Sequence, residues 1–583
     1  MPDMPVPPRS TAKPGGQPSS PPGTKAEDFD RILHNWQSRF TGGRSPSTVA
    51  MAFMDWAAHT ANSPFKTAAL GRTAMQQWQR LVHTMMGGEN SIEPPPGDHR
   101  FVHPAWQKCP YNLLVQSVLL GEEWWGKAVK SAGGVSRPNE RIVNFTVRQF
   151  LDLVSPSNVP WLNPEVIEAT RASGGRNLAE GMSNLLRDLS PAQGHAAMKG
   201  FKVGDNLAAT PGKVVFRNAL MELIQYTPTT AKVAAEPVLI VPAWIMKYYI
   251  LDLSASNSLV RWLVAQGRTV FMISWRNPGA DMRNTSLDDY HNEGVMAAID
   301  AVQRICGAPK IHATGYCLGG TLLTIAAAAM ARDNDDRLAS LSLFAAQTDF
   351  TEAGELQLFI TEDQLNFLND IMQTQGYLDS AQMGGAFQML QSNDLVWSHA
   401  IRTYLLGEQD APFDLMAWNA DGTRLPARMH IEYLRHLYLH NDLAEGRLKV
   451  GDRPVALDDM HLPIFLVGTE RDIIAPWHSV FKLHLSNDGN ITFVLTSGGH
   501  NAGIVSEPGH PHRHFRIHTR AASGRTRGPD EWQHDTSPQD GSWWVEWNKW
   551  LGGHSTKDIG PPPMGGPGSK PVCNAPGTYV LEV

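Results

Sequence analysis

The sequence predicts an α/β fold built on a mostly parallel sheet, and three observations carry that prediction. Six short, apolar, β-branched runs fall at residues 237–242, 269–274, 310–315, 341–346, 463–468 and 491–496. Stretches with helical spacing, at 258–266, 294–306 and 318–332, alternate with the first of these runs. The run ending at Gly315 passes through a Gly-x-Cys-x-Gly turn directly into an Ala-rich helix. Strands apolar on both faces are what a parallel sheet needs when helices cover both of its sides.

The residues before this region read differently. Residues 1–25 are rich in Pro, Gly and Ser and bury too little apolar surface to offset the entropy of ordering, so a disordered segment is expected there. Residues 26–200 are expected to form a mainly helical N-terminal domain. Its segments 29–40, 46–59, 68–86 and 139–153 place apolar residues at helical spacing, with breaks at Pro94-Pro95-Pro96 and Ser155-Pro156. The remaining 201–583 carry the strand–helix rhythm, broken once. More than a hundred residues, rich in Leu, Phe, Tyr and Trp, separate Asp349 from Pro463. That is too long for a crossover and predicts a helical cap inserted at about 351–460, above the strand ends where open α/β sheets bind ligands.

Composition excludes several classes. A chain of 583 residues, 42% of them hydrophobic, exceeds one small core. A formal net charge of −7 without a basic stripe argues against a nucleic-acid partner. No apolar run approaches the ~20 residues of a membrane span, and the N-terminus lacks the apolar stretch of a secretory signal, so a soluble cytoplasmic chain is expected. The four cysteines, Cys109, Cys306, Cys317 and Cys573, contain no Cys-x-x-Cys pair. They fit a reducing compartment and predict neither a disulfide framework nor a metal site.

The chemistry gathers at Gly315-Tyr316-Cys317-Leu318-Gly319-Gly320. A nucleophile on a strained strand-to-helix turn is the signature of the α/β-hydrolase fold, and flanking glycines let strand and helix approach closely. The turn sets the thiol at a helix N-terminus, where partial positive charge favours thiolate. The Leu318 backbone N–H would face a developing oxyanion, with a second donor near Ala243 or Trp244 after an earlier strand. Alone, the motif is also compatible with a small buried cysteine.

The partners decide between these readings. In this fold the acid and then the histidine follow the nucleophile in chain order. Asp472 stands where the run 463–468 ends, and His500 stands in Ser497-Gly498-Gly499-His500 just past the run 491–496. His500 would take the thiol proton and Asp472 would orient the imidazolium. Asp349, also at a strand end, is the competing acid. The His-rich stretch 510–518 could hold a metal but reads more simply as an exposed loop.

With these residues in place, Gly315–Gly320 resembles the lipase-like box of polyhydroxyalkanoate synthases, in which Cys replaces the lipase Ser. Lys247–Leu253, Ser274–Pro278, Asn393–Trp397, Pro412–Leu415, Tyr433–His436, Gly541–Trp544 and Ala575–Tyr579 resemble further segments of that family, and the similarity runs from about Asp98 to the C-terminus. The length resembles its single-subunit, class I-like members. The resemblance implies a Cys317–His500–Asp472 triad that polymerises (R)-3-hydroxyacyl-CoA with release of CoA, leaning toward short-chain monomers. It further implies no cofactor beyond the CoA of the substrate, a homodimer, and partnership with the growing polyester chain and the granule surface. One departure is Ile473, where members commonly carry His directly after the acid. Two other readings compete: a cysteine-dependent ester or lactone hydrolase of the same fold, and a noncatalytic granule scaffold resting on the pairs Trp124-Trp125 and Trp543-Trp544.

Overall fold

One sheet organises the chain. The structure, a computed structural model, describes residues 45–583 except 96–97, 131–132, 189–199, 381, 384–396, 410 and 568–569. The segment 1–25, the helix expected at 29–40 and residues 393–396 of the cap lie outside the described residues.

The helices that precede the sheet are α1 (Pro46–Ala61), α2 (Pro64–Met85), α3 (Tyr111–Lys130), α4 (Arg137–Leu153), α5 (Pro164–Ser173) and α6 (Arg176–Asp188). Proline occupies one of the first two positions of α1, α2, α4 and α5, where its missing N–H leaves no helical bond unmade. Ser136 and Asn163 accept backbone N–H groups at the starts of α4 and α5. Helices α1, α3 and α4 bury Ala52, Val129, Ile142, Val143 and Phe145 in a core of their own. Helices α3, α5 and α6 were not among the segments predicted from spacing. Helix α3 buries Val115, Gln116, Leu119, Leu120, Ala128 and Val129 around more than one face, so no single stripe stands out.

The sheet strands are β1 (Gly212–Arg217), β2 (Met221–Tyr226), β3 (Val238–Val241), β4 (Val270–Trp275), β5 (Ile311–Tyr316), β6 (Leu338–Phe344), β7 (Ile464–Thr469), β8 (Ile491–Thr496), β9 (His514–Arg520), β10 (Gln539–Asp540) and β11 (Cys573–Asn574). Their order is β10-β9-β8-β7-β6-β5-β3-β4-β2-β1-β11. The six runs read from the sequence are β3 to β8, all paired parallel. The antiparallel hairpin β1–β2 extends one side and β9 the other, and neither was foreseen. Strand β9 corrects the loop expected at 510–518: His514 to Arg520 pair along β8, while His510 bonds to Glu507 and His514 to Glu470.

Helices α7 (Leu259–Ala265), α8 (Ala297–Cys306) and α9 (Leu318–Arg332) alternate with the strands as predicted, α8 entered through a π-helical turn at Tyr290–Met296. Between β6 and β7 the chain forms α10 (Glu362–Gln375), α11 (Asp414–Ala420) and α12 (Ala427–Tyr433), the last continuing as a π-helical turn over Leu434–Leu439. Helix α13 (Trp543–Gly553) closes the sheet, its Trp543 and Trp547 rings edge-on to Phe344 at 4.8 and 4.9 Å. The pair Trp543-Trp544 is therefore core. No helix of the described residues is long and apolar enough to cross a membrane.

A buried ionic knot ties the N-terminal helices together. Arg100 bonds to Asp98 and to Glu122 of α3 at 2.7 Å each, and to Asp152 of α4 at 3.2 Å. Burial pushes the Asp152 carboxyl up to about 6, with Arg100 opposing and Glu122 reinforcing the shift. The folded chain thus holds this proton more tightly than the unfolded one, so the group contributes stability at low pH that is lost as pH rises toward 6. Asp152→Asn should match the parent near pH 4 and exceed it above pH 6 by about 1–2 kcal/mol, allowing for solvent screening. Thermal unfolding across pH 4–8 checks this, and a difference that does not change over pH 4–6 would contradict it.

Candidate active site

The turn after β5 is built by close backbone approach. Cys317 has φ +53° and ψ −127°, a conformation costly for a residue with a side chain, and it serves as N-cap of α9. Three glycines make the turn possible. A Cβ on Gly315 would stand 2.3 Å from the Gly320 Cα, and one on Gly320 would stand 2.5 Å from the Ala346 Cβ. On Gly319 it would meet the carbonyl oxygens of Val241 and Pro242 at 2.3 and 2.4 Å, so the loop after β3 lies directly against the turn. The Cys317 N–H donates to the Phe344 carbonyl of β6, and the Cys317 carbonyl accepts from Gly320 and Thr321.

Strands β7 and β8 bring Asp472 and His500 together. His500 Nδ1 lies 2.7 Å from Asp472 Oδ2, with both side chains nearly or fully buried. Asp472 is itself held: Oδ1 accepts the N–H groups of Ile474 and Ala475 at 2.9 and 2.8 Å, and Oδ2 accepts the Thr469 hydroxyl at 3.1 Å. On its other side His500 lies close enough to Cys317 for that group to act on the imidazole. Burial alone would depress the imidazole pKa; the charges of Asp472 and Cys317 outweigh it and hold His500 well above its ordinary value near 6.5. The rival acid is committed elsewhere, since Asp349 Oδ1 accepts from the backbone and hydroxyl of Thr351.

The histidine loop is pinned from two sides. The Tyr316 hydroxyl donates to Asn501 Oδ1 at 2.6 Å, and its ring lies 5.6 Å from the His500 ring. The Trp543 and Trp544 indoles donate to the carbonyls of Gly503 and Ile504. None of these four contacts was read from the sequence; Tyr316 stood inside the motif, yet nothing in its spacing showed where its hydroxyl ends.

The loop after β3 is held by its carbonyls. Trp275 donates to Pro242 O, Thr423 to Trp244 O and Trp418 to Lys247 O, at 2.9, 2.9 and 2.8 Å. Two of these donors come from the insertion between β6 and β7. The backbone N–H groups of Leu318, Ala243 and Trp244 meet no acceptor among the described residues. The Trp244, Tyr433 and Tyr438 rings form a buried aromatic layer, with Tyr433 at 5.9 Å from Trp244 and at 5.5 Å from Tyr438. Such a site can attack an acyl carbon with sulfur and shuttle a proton through His500 in a setting largely closed to water.

Ile473 packs against the core formed by α1, α3 and α4, in the company of Trp125, Val147 and Leu358. The N-terminal helices therefore rest on the loop that carries Asp472.

Comparison with known proteins gives matches along most of the chain. Residues 97–263 match the family described as poly-beta-hydroxybutyrate polymerase (PhaC) N-terminus, residues 24–66 the poly-beta-hydroxybutyrate polymerase N terminal family, and residues 236–506 the alpha/beta hydrolase fold. The poly(3-hydroxyalkanoate) polymerase of Methylorubrum extorquens is 40% identical over 521 residues, covering 88% of this chain and 85% of that protein. The poly(3-hydroxyalkanoate) polymerase subunit PhaC of Cupriavidus necator is 33% identical over 554 residues, covering 94% and 93%. Among solved structures, the thioesterase domain from the curacin biosynthetic pathway aligns with 50% of this chain and 94% of its own at 16% identity and TM-score 0.29.

The charge coupling at His500 has a direct consequence. Asp472→Asn removes the first of the two charges that raise its pKa while leaving burial in place, so the His500 pKa should fall. Histidine-resolved NMR titration of the variant against the parent measures this, and an unchanged midpoint would contradict the coupling.

Proposed function

The chain belongs to the poly(3-hydroxyalkanoate) polymerase family, a family of acyltransferases, and we propose that it grows its polyester from (R)-3-hydroxyacyl-CoA through a thioester on Cys317. The observation that carries this reading is the alignment of Cys317, His500 and Asp472 at the ends of β5, β8 and β7. His500 accepts the thiol proton as sulfur attacks the thioester carbonyl, and returns it to the departing CoA sulfur. Exchange of one thioester for another is nearly isoenergetic, so the acyl group keeps its driving force. The hydroxyl of the growing chain then attacks the Cys317-bound carbonyl. The C–O ester bond forms, the C–S bond breaks, and His500 passes the hydroxyl proton to the Cys317 sulfur.

The N–H groups of Leu318 and of Ala243 or Trp244 are the donors proposed for the tetrahedral oxyanion, since each is free of protein acceptors beside the turn. Every step is acyl exchange or proton transfer, so the three side chains suffice and the reading calls on no cofactor. The buried layer of Trp244, Tyr433 and Tyr438 supports polymer formation over hydrolysis, because it limits water at the acyl-enzyme. Exposed Met54, Phe65, Trp78, Met86 and Trp161 on or beside the N-terminal helices support contact with an apolar granule surface in the cytoplasm.

Incubation of the purified protein with (R)-3-hydroxybutyryl-CoA should release CoA together with insoluble polyester, and mass spectrometry of quenched enzyme should place the acyl group on Cys317. Cys317→Ala should lower the rate by at least about 10³-fold. Free 3-hydroxybutyrate as the sole acyl product would overturn the polymerase chemistry, and polymer formation by Cys317→Ala would overturn the nucleophile.

A further inference from the structure

A groove of about 630 Å³ lies between the N-terminal helices and the loop that carries Asp472. Its inner end is formed by Asp472, Ile473 and Pro476, and its walls by α3 and α4 through Trp125, Val147 and Leu151. We propose that this groove holds the body of the growing polyester chain as it leaves the site, an inference that rests on the function proposed above.

Three features fit that occupant. The first is position. The loop that carries Asp472, whose side chain binds His500, lines the groove, so the groove abuts the proposed acid. The second is charge. Four carboxylates, Asp98, Glu122, Asp152 and Glu355, line it against two arginines, Arg100 and Arg148, while the Asp472 carboxylate is turned to His500. Both arginines are already paired, Arg100 with Asp98, Glu122 and Asp152, and Arg148 with Glu355. An environment with excess negative charge repels the polyphosphate of CoA but not an uncharged polyester.

The third is hydrogen bonding. A polyester offers carbonyl acceptors and apolar carbons, and no donors except its terminal hydroxyl. Trp125, Asn144 and Gln149 line the groove, and their side-chain N–H groups meet no acceptor among the described residues. They stand beside apolar Val147, Leu151, Ile473 and Pro476. Donors unspent within the protein, interspersed with apolar surface, match a chain of repeating esters.

The groove can be plugged with little damage to the fold. Gly126 lies within α3 and lines it, and a Cβ there would meet nothing within 4 Å. Gly126→Trp should fill the space, Gly126→Ala should leave it open, and Gln149→Phe plugs it independently from α4. With (R)-3-hydroxybutyryl-CoA, the first-turnover burst of CoA release reports acylation of Cys317, and polymer length by size-exclusion chromatography reports elongation. Gly126→Trp and Gln149→Phe should keep the burst within twofold of the parent and shorten the chains at least fivefold, while Gly126→Ala makes parental chains. Parental chain length in both plugged variants would overturn the proposal, as would an equal loss of burst and elongation, which would make the groove an entrance. A parent enzyme with no burst, or a burst that survives Cys317→Ala, would instead overturn the function on which the inference rests.

Discussion

The strained turn at Cys317 is the constraint to which the surrounding architecture answers. A side-chain-bearing residue at φ +53° is tolerated only where neighbours over-determine it. Here those neighbours are the bare Cα atoms of Gly315 and Gly320, packed without room for a methyl group, and the Val241–Pro242 carbonyls pressed onto Gly319. Each contact recruits another element. The Cys317 N–H binds β6, the Gly319 contact fixes the loop after β3, and β5 lies between β3 and β6 in the sheet. That arrangement puts the thiol at the point where the strand order reverses, beside the crevice that open α/β sheets use for ligands.

A good part of this was legible in the sequence, and the reason is local. The six parallel strands are buried on both faces, so their residues are apolar without alternation and stand out from the surroundings. The motif around Cys317 is legible because its glycines answer to backbone contacts within a few residues. Asp472 and His500 followed from chain order and from their place just past a strand. The sequence offered both Asp472 and Asp349; in the fold Asp349 accepts from Thr351, while Asp472 faces His500.

What remained illegible depends on contacts between residues far apart in the chain. The antiparallel strands β1 and β9 mix exposed, intermediate and buried positions, and β2, buried throughout, carries the polar Glu222 and Gln225. A His-rich run such as 514–518 reads as a loop until β8 is there to pair with it. The Tyr316–Asn501 and Trp543–Gly503 bonds span 185 and 40 residues, and side chains of those types are equally at home in an ordinary core. Helix α3 hides for a related reason. It is apolar on several faces because it packs against α2 and α4 while presenting Trp125 and Gly126 to the groove.

The same long-range packing explains how the N-terminal helices bear on chemistry they do not perform. Asp472 must keep one oxygen on His500, and its other oxygen is anchored by N–H groups two and three residues downstream, so the path of residues 472–475 sets the carboxylate's aim. Ile473 lies in the middle of that path, partly buried, with its seat against the apolar core of α1, α3 and α4. A histidine at this position would present a polar ring to that seat and incur a desolvation cost, whereas isoleucine joins the packing. It couples the fit of the N-terminal helices to the orientation of the Asp472 carboxylate toward His500.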